Sequence, residues 1–326
     1  QMAEAGNWCL IESDPGVFTE MIRGFGVKGI EVEELIALEP EFYKEIEPIH
    51  GLIFLFKWRQ GDSPSGSPVP EAPCFFAQQV ISNACATQAL VNLILNIDDG
   101  EKKHIELGET LTDFKSFCGE FDPASRGLCL SNSDPIRTVH NSFSRQQLFE
   151  LDIKGGKEEE NYHFVCYVPR HGKVYELDGL QEFPYQVGEF EAGTNWMDVV
   201  TPVIQQRIQR YSEGEIHFNL MAVVGDRKDK YVRRLEEIAN SGMETEDVAA
   251  EICDLQQAIA DQEEKTKRHK TENARRRHNY IPLIVEILRT LAREDKLVPL
   301  VEQAMEKQDL KRKAREERED KLKAKA

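Results

Sequence analysis

The spacing of apolar residues changes twice along the chain. Residues 7–13, Asn-Trp-Cys-Leu-Ile-Glu-Ser, form a short extended segment, and Asp14-Pro15-Gly16 then has the form of an N-cap with proline at the first helical position, predicting a helix through about Arg23. Ile49 to Trp58, "IHGLIFLFKW", is a continuous β-branched and aromatic run, so a buried strand is predicted there, followed by a Pro/Ser/Gly-rich surface loop over 59–73. Residues 83–95 are apolar at helical spacing, and helical patterns recur at 107–118, at 133–143 behind Ser133-Asp134-Pro135, and from Trp196 to Tyr211. "YHFVCYV" at 162–168 and "KVYELD" at 173–178 predict two strands joined by the turn Pro169-Arg170-His171-Gly172, and a last strand is predicted over 216–224. Helices dominate the first half and strands the second, an order that predicts an α+β fold on an antiparallel sheet rather than a doubly wound parallel one.

Beyond Gly225 the strand pattern stops. Tyr231, Leu235 and Ile238, then Val248, Ile252, Leu255 and Ile259, repeat at helical spacing among charged residues. Within "NYIPLIVEILRTLA", residues Ile284, Ile287, Leu288 and Leu291 make one apolar stripe, which calls for a cover within the chain or from a partner. The terminal run, with its mixed Lys and Glu, lacks core-forming residues and is expected to be a solvated helix or disordered. Two regions are therefore expected, 6–225 as the catalytic or binding domain and 226–326 as a helical extension with a charged tail.

Charge follows the same division. The 326 residues carry a formal charge of −17, with 17 basic against 35 acidic residues over 1–224 and 24 against 23 over the remainder. The first region repels nucleic acid and favours a basic ligand, and "KRHKTENARRRH" at 267–278 reads mainly as the polar face of a helix. Seven cysteines, with no C-x-x-C pair, argue against a disulfide framework and a zinc site and fit reduced thiols. No cofactor is expected. The first residues lack the form of a signal peptide and no apolar run approaches the ~20 residues that cross a bilayer, so a cytoplasmic and nuclear protein is expected.

One candidate chemistry emerges from "QQVISNACATQALVNLIL", residues 78–95. Cys85 stands at the start of the predicted helix with Asn83 as its expected N-cap, where unpaired N–H groups and the helix dipole favour a thiolate. A cysteine nucleophile also needs an imidazole to carry its proton, a group to orient that imidazole and a donor for the oxyanion. If 162–168 and 173–178 pair as a hairpin, His163 and Asp178 come together at one end of the sheet, and the amide of Gln79 lies on the loop before Cys85. Each residue has a plainer reading: Cys85 as a core residue, His163 as a strand-end histidine, Asp178 before Gly179 as a turn residue. Spacing alone leaves both readings open.

The blocks "GNWCLIESDPGVF", "QQVISNACATQALVN", "NYHFVCYVP" and "KVYELDGL" closely resemble the ubiquitin C-terminal hydrolase family of cysteine proteases. "LSNSDPIRTVHNSF", "YSEGEIHFNLMAVVGDRK" and "RRRHNYIPLI" resemble its long, proteasome-associated branch, so the likeness covers nearly the whole chain. The resemblance implies a papain-like, knotted fold and assigns Cys85 as nucleophile, His163 as general base, Asp178 as its orienting partner and Gln79 as oxyanion donor. Ala86 stands where short members have glycine, as it does in the long branch. Ubiquitin is the implied substrate, its basic, glycine-terminated tail suiting an acidic domain, with Leu10, Ile11, Glu12 and Ser13 against it. The segment "LDIKGGKEEENY" matches a loop that crosses the active site and limits the leaving group. The extension is expected to dock on a ubiquitin receptor of the proteasome regulatory particle, with a chromatin-remodelling complex as a second partner. A non-catalytic ubiquitin-binding scaffold is the rival reading.

Overall fold

A computed structural model describes residues 8–58, 61–97, 104–144, 162–211, 218–241 and 245–323. The first helix, α1 (Pro15–Gly24), begins where the sequence places it: Asp14 Oδ1 accepts from the N–H groups of Gly16 (2.9 Å) and Val17 (3.2 Å), and Pro15 fills the first turn. Its buried face, Val17, Phe18, Met21 and Ile22, rests on a seven-stranded sheet.

The strands in chain order are β1 (Ile30–Glu34), β2 (Ile49–Lys57), β3 (Ser67–Pro68), β4 (Tyr162–Arg170), β5 (Lys173–Leu177), β6 (Tyr185–Glu189) and β7 (Phe218–Gly225). They are arranged β1-β7-β2-β4-β5-β6-β3, every pair antiparallel. The predicted hairpin forms through the turn at His171-Gly172, with Arg170 opposite Lys173 and Cys166 opposite Leu177. β2 is central, pairing with β7 on one side and β4 on the other, which is why it reads as unbroken hydrophobic sequence.

Both faces of the sheet are covered. One cluster joins α1 and the apolar helix α3 (Cys85–Ile94) to Ile53, Phe164, Cys166 and Leu177. The other packs Met197, Val200 and Ile204 of α7 (Met197–Tyr211) on Leu52, Phe54, Phe56 and Tyr167. The remaining helices of this half are α2 (Pro40–Tyr43), α4 (Gly108–Cys118), α5 (Pro123–Asn132) and α6 (Asp134–Asn141). β1, β3, β6, α2 and α5 have no counterpart among the predicted elements; the three strands and α2 are short, and α5 carries few apolar residues. The predicted last strand begins at Phe218, and 212–217 lie outside the described residues, as does 151–161, the body of the segment expected to cross the active site.

After β7 the described chain is helical: α8 (Arg227–Ser241), α9 (Glu246–Arg277), α10 (Ile281–Arg293) and α11 (Leu297–Lys323). The compact body extends past the compositional change at Gly225 as far as Arg277, and residues 278–326 form a second unit. α9 belongs to the first because it is seated on α1. Asn273, buried, donates to Gly16 O (3.1 Å) and Glu20 Oε2 (2.6 Å), Lys265 pairs with Glu33, and Arg276 reaches Glu12 and Asp14. In the second unit α10 leaves Leu283, Ile284, Ile287 and Leu288 exposed, and α11 exposes Val298, Val301 and Met305.

Candidate active site

Cys85 is the first residue of α3, immediately after a single 3-10 turn, Ser82–Ala84. Every residue from Ala86 to Ile94 is buried, and Cys85 alone is half-exposed. The helix therefore holds its thiol at a rigid, partly open end, where the first backbone N–H groups lack intrahelical acceptors. Asn83 does not cap this helix as expected. Ala84 occupies the cap position and has no side-chain acceptor to offer, while Asn83 Nδ2 donates to Trp8 O at 3.0 Å.

His163, on β4, and Asp178, directly after β5, meet as the hairpin requires: His163 Nε2 lies 2.6 Å from Asp178 Oδ1, with both residues buried. Cys85 lies near enough to the same imidazole to favour its protonated form, and Nδ1 is the ring nitrogen that Asp178 leaves over. Burial alone would depress this imidazole, but the hydrogen bonds and charges of Asp178 and Cys85 override it and raise its pKa to about 9. Asp178 shows the same contest with the opposite sign: burial pushes its carboxyl up, and the bond and charge of His163, with the Leu180 N–H at 2.9 Å, bring it below the ordinary value.

Gln79 is tied to the same strand end. Its N–H donates to Gly179 O at 2.8 Å, and its Nε2 donates to Ile81 O at 3.0 Å. The approach demands glycine at 179, since a Cβ there would stand 2.8 Å from the Cβ of Gln79. The loop before Cys85 and the residue after Asp178 are thus strapped together. All four residues singled out from sequence converge on one site.

The segment Leu10–Ser13 follows a stretch of backbone latched to the loop and helix that carry Cys85. Trp8 O is held by Asn83, two residues before Cys85, while Cys9 O lies 2.8 Å from His140 Nε2 and Cys9 N donates to Asn141 Oδ1 at 3.1 Å. The other ring nitrogen of His140 lies 2.7 Å from Thr87 Oγ1 on α3. Beyond this latch Leu10 is 78% exposed, Ile11 leans on the core, Glu12 pairs with Arg276, and Ser13 carries a buried hydroxyl. Sequence reasoning missed His140 and the true part played by Asn83. His140 sits in a helix of ordinary composition, and only its pairing with Thr87 and Cys9 distinguishes it.

A partly open thiol at a helix start, beside an imidazole that a carboxylate orients, with an amide donor strapped alongside, is the equipment of a cysteine hydrolase. Residues 8–209 match the profile of the ubiquitin carboxyl-terminal hydrolase family 1, and residues 252–297 match a second profile, described as ubiquitin carboxyl-terminal hydrolases. The chain is 55% identical to ubiquitin carboxyl-terminal hydrolase ubh-4 of Caenorhabditis elegans, over 93% of each chain. It is 40% identical to ubiquitin carboxyl-terminal hydrolase isozyme L5 of Dictyostelium discoideum, over 93% of this chain and 96% of that one. Among solved structures, Trichinella spiralis UCH37 bound to ubiquitin vinyl methyl ester superposes with a TM-score of 0.67 at 46% identity, covering 81% of this chain and all of the other. The chain belongs to the ubiquitin carboxyl-terminal hydrolase family. It is a deubiquitinating thiol hydrolase.

Proposed function

We propose that Cys85 is the nucleophile of this hydrolase and that it cleaves amide and isopeptide bonds after the terminal glycine of ubiquitin. His163 takes the thiol proton, the sulfur attacks the glycine carbonyl, and the carbonyl π pair moves onto oxygen, which accepts hydrogen bonds from the Gln79 amide and the Cys85 N–H. The tetrahedral intermediate collapses to a thioester as His163 gives its proton to the departing amine. Water, deprotonated by His163, then attacks the thioester and releases ubiquitin and the thiol. Asp178 keeps the imidazole in the orientation that serves both steps.

The observation carrying this reading is the buried His163–Asp178 pair, with Cys85 close enough to act on the same imidazole. Leu10, Ile11, Glu12 and Ser13 are assigned to the face that receives ubiquitin, a reading supported by the exposure of Leu10 and the fixed backbone behind it. Turnover of a fluorogenic ubiquitin C-terminal amide tests the whole. Cys85→Ala is expected to abolish it, and residual turnover in that variant at the wild-type rate would defeat the proposal.

The second unit serves attachment in the same proposal. The exposed apolar side chains of α10 suit a hydrophobic groove on a ubiquitin receptor of the proteasome regulatory particle, with a related subunit of a chromatin-remodelling complex as an alternative host. Work in the cytoplasm and nucleus follows from those partners. In the full chain, Ile287→Arg is expected to abolish receptor co-purification while leaving turnover of the ubiquitin amide unchanged; undiminished co-purification would count against it.

A further inference from the structure

One charged group lies buried on the sheet face opposite α3. Arg207, on α7, is 3% exposed and grips three adjacent strands at the end that presents His163 and Asp178. Its Nη1 donates to Tyr167 Oη on β4 at 3.1 Å and to the carboxylate of Glu176 on β5, two residues before Asp178. Its guanidinium carbon lies 4.4 Å from the centre of the Phe56 ring on β2. Phe56 is the cross-strand partner of His163, and its ring meets the imidazole edge to face, at 5.8 Å and 83°. The other oxygen of Glu176 accepts from Ser65 N at 3.3 Å, so the whole group is satisfied as well as sealed.

Stability is a poor explanation for this arrangement. A buried Arg–Glu pair recovers in attraction little more than its desolvation costs, and apolar side chains of the same volume often do as well. The burial is costly here: it holds the Glu176 carboxyl above its ordinary range even with the guanidinium against it. The pair is better explained by what it positions. One side of Arg207 fixes the strand that delivers Asp178, and the other fixes the aromatic ring against His163.

We propose that Arg207 is a positioning residue for the hydrolysis, which through Glu176 and Phe56 holds the His163 imidazole and the Asp178 carboxylate in the alignment that the thiol requires. The inference rests on the assignment of His163 as the base. Proton transfer between thiol and imidazole depends on their alignment, and misplacement by ~1 Å costs about 100-fold in rate.

The test replaces the ion pair as a unit in the full chain, Arg207→Met with Glu176→Leu, so that no charge is left buried alone. The expected result is cooperative unfolding as in wild type, kcat on ubiquitin amide down about 10-fold or more, KM within about 2-fold, and a displaced His163 ring resonance. Wild-type kcat with an unmoved resonance would overturn the proposal, as would a change confined to KM. Should the double variant fail to fold, Arg207→Lys carries the test: it keeps the charge but loses the flat guanidinium over Phe56, and an unchanged kcat there overturns the proposal. His163→Asn serves as the control, because retained turnover in that variant refutes the base assignment itself, separately from any role of Arg207.

Discussion

Arg276, in the last turn of α9, places its Nε 3.0 Å from Glu12 Oε2 and its Nη2 2.7 Å from Asp14 Oδ2. The side chain thus joins the C-terminal helix of the compact body to the N-cap of α1 and to the segment proposed to receive ubiquitin. These pairs are partly exposed and individually weak, but Asn273 beside them is buried and doubly bonded.

Removing Asn273 takes away the donor that its amide supplies to Gly16 O and to Glu20 Oε2 in a closed interface. Asn273→Ala is expected to lower stability by about 1–3 kcal/mol, read from urea unfolding. A chain ending after Arg277 should unfold at the wild-type midpoint for this body and retain hydrolysis. A chain ending after Gly225 should melt lower, because it strips α9 from α1.

The imidazole raised to about 9 has a predicted signature in the pH profile. The ring keeps its proton through neutrality, so kcat/KM should hold there and decline on the alkaline side with an apparent pKa near 9. The sign for stability agrees: a folded pKa above the ordinary 6.5 gives a contribution fully present below 6.5 and lost as pH rises through about 9. Asp178→Asn removes the bond and the charge that raise it. That variant should lose about 100-fold or more in kcat/KM, with its alkaline decline moved to lower pH, measured on ubiquitin amide.

His140 behaves in the opposite way. Burial drives its pKa down to about 4, since its ring is enclosed against Trp8 and the bond to Cys9 O only partly compensates. The unfolded chain binds this proton near 6.5 and the folded one does not, so folding loses about 3 kcal/mol as pH falls from 6.5 to 4. His140→Gln, with no proton to take up, should lose less across that interval. Denaturant midpoints at pH 7 and pH 4 for both proteins measure the difference.

Gln79→Ala should cost about 100-fold in kcat with little effect on KM, the expected loss for one oxyanion donor. Gly179→Ala should produce a milder defect of the same kind, because the added methyl displaces Gln79 without removing its amide. Activity assays on purified variants with matched melting temperatures separate the two.

The parts of this fold that sequence made legible are those with strong local signals. Asp14-Pro15 fixed the start of α1, the unbroken apolar run marked β2, and the turn at His171-Gly172 set a hairpin whose ends carry His163 and Asp178. β1 and β6 were not legible because five residues with mixed polarity are held by neighbouring strands rather than by propensity. Asn83 differs from the expectation for a related reason: its residue type suits a cap, but it lies inside the 3-10 turn before α3, and its amide donates to the distant Trp8 carbonyl. The Arg207–Glu176 pair was invisible because nothing in either residue's neighbourhood signals a charge that will be buried.

The latch at Trp8 and Cys9 has a practical side. Because Asn83 and Thr87 sit within two positions of Cys85 on either side, a handle inserted at Trp8 or Cys9 would break bonds to the mount that carries the proposed nucleophile. Dyes, affinity handles and surface tethers belong instead on α11, where Met305 and Leu310 already face solvent.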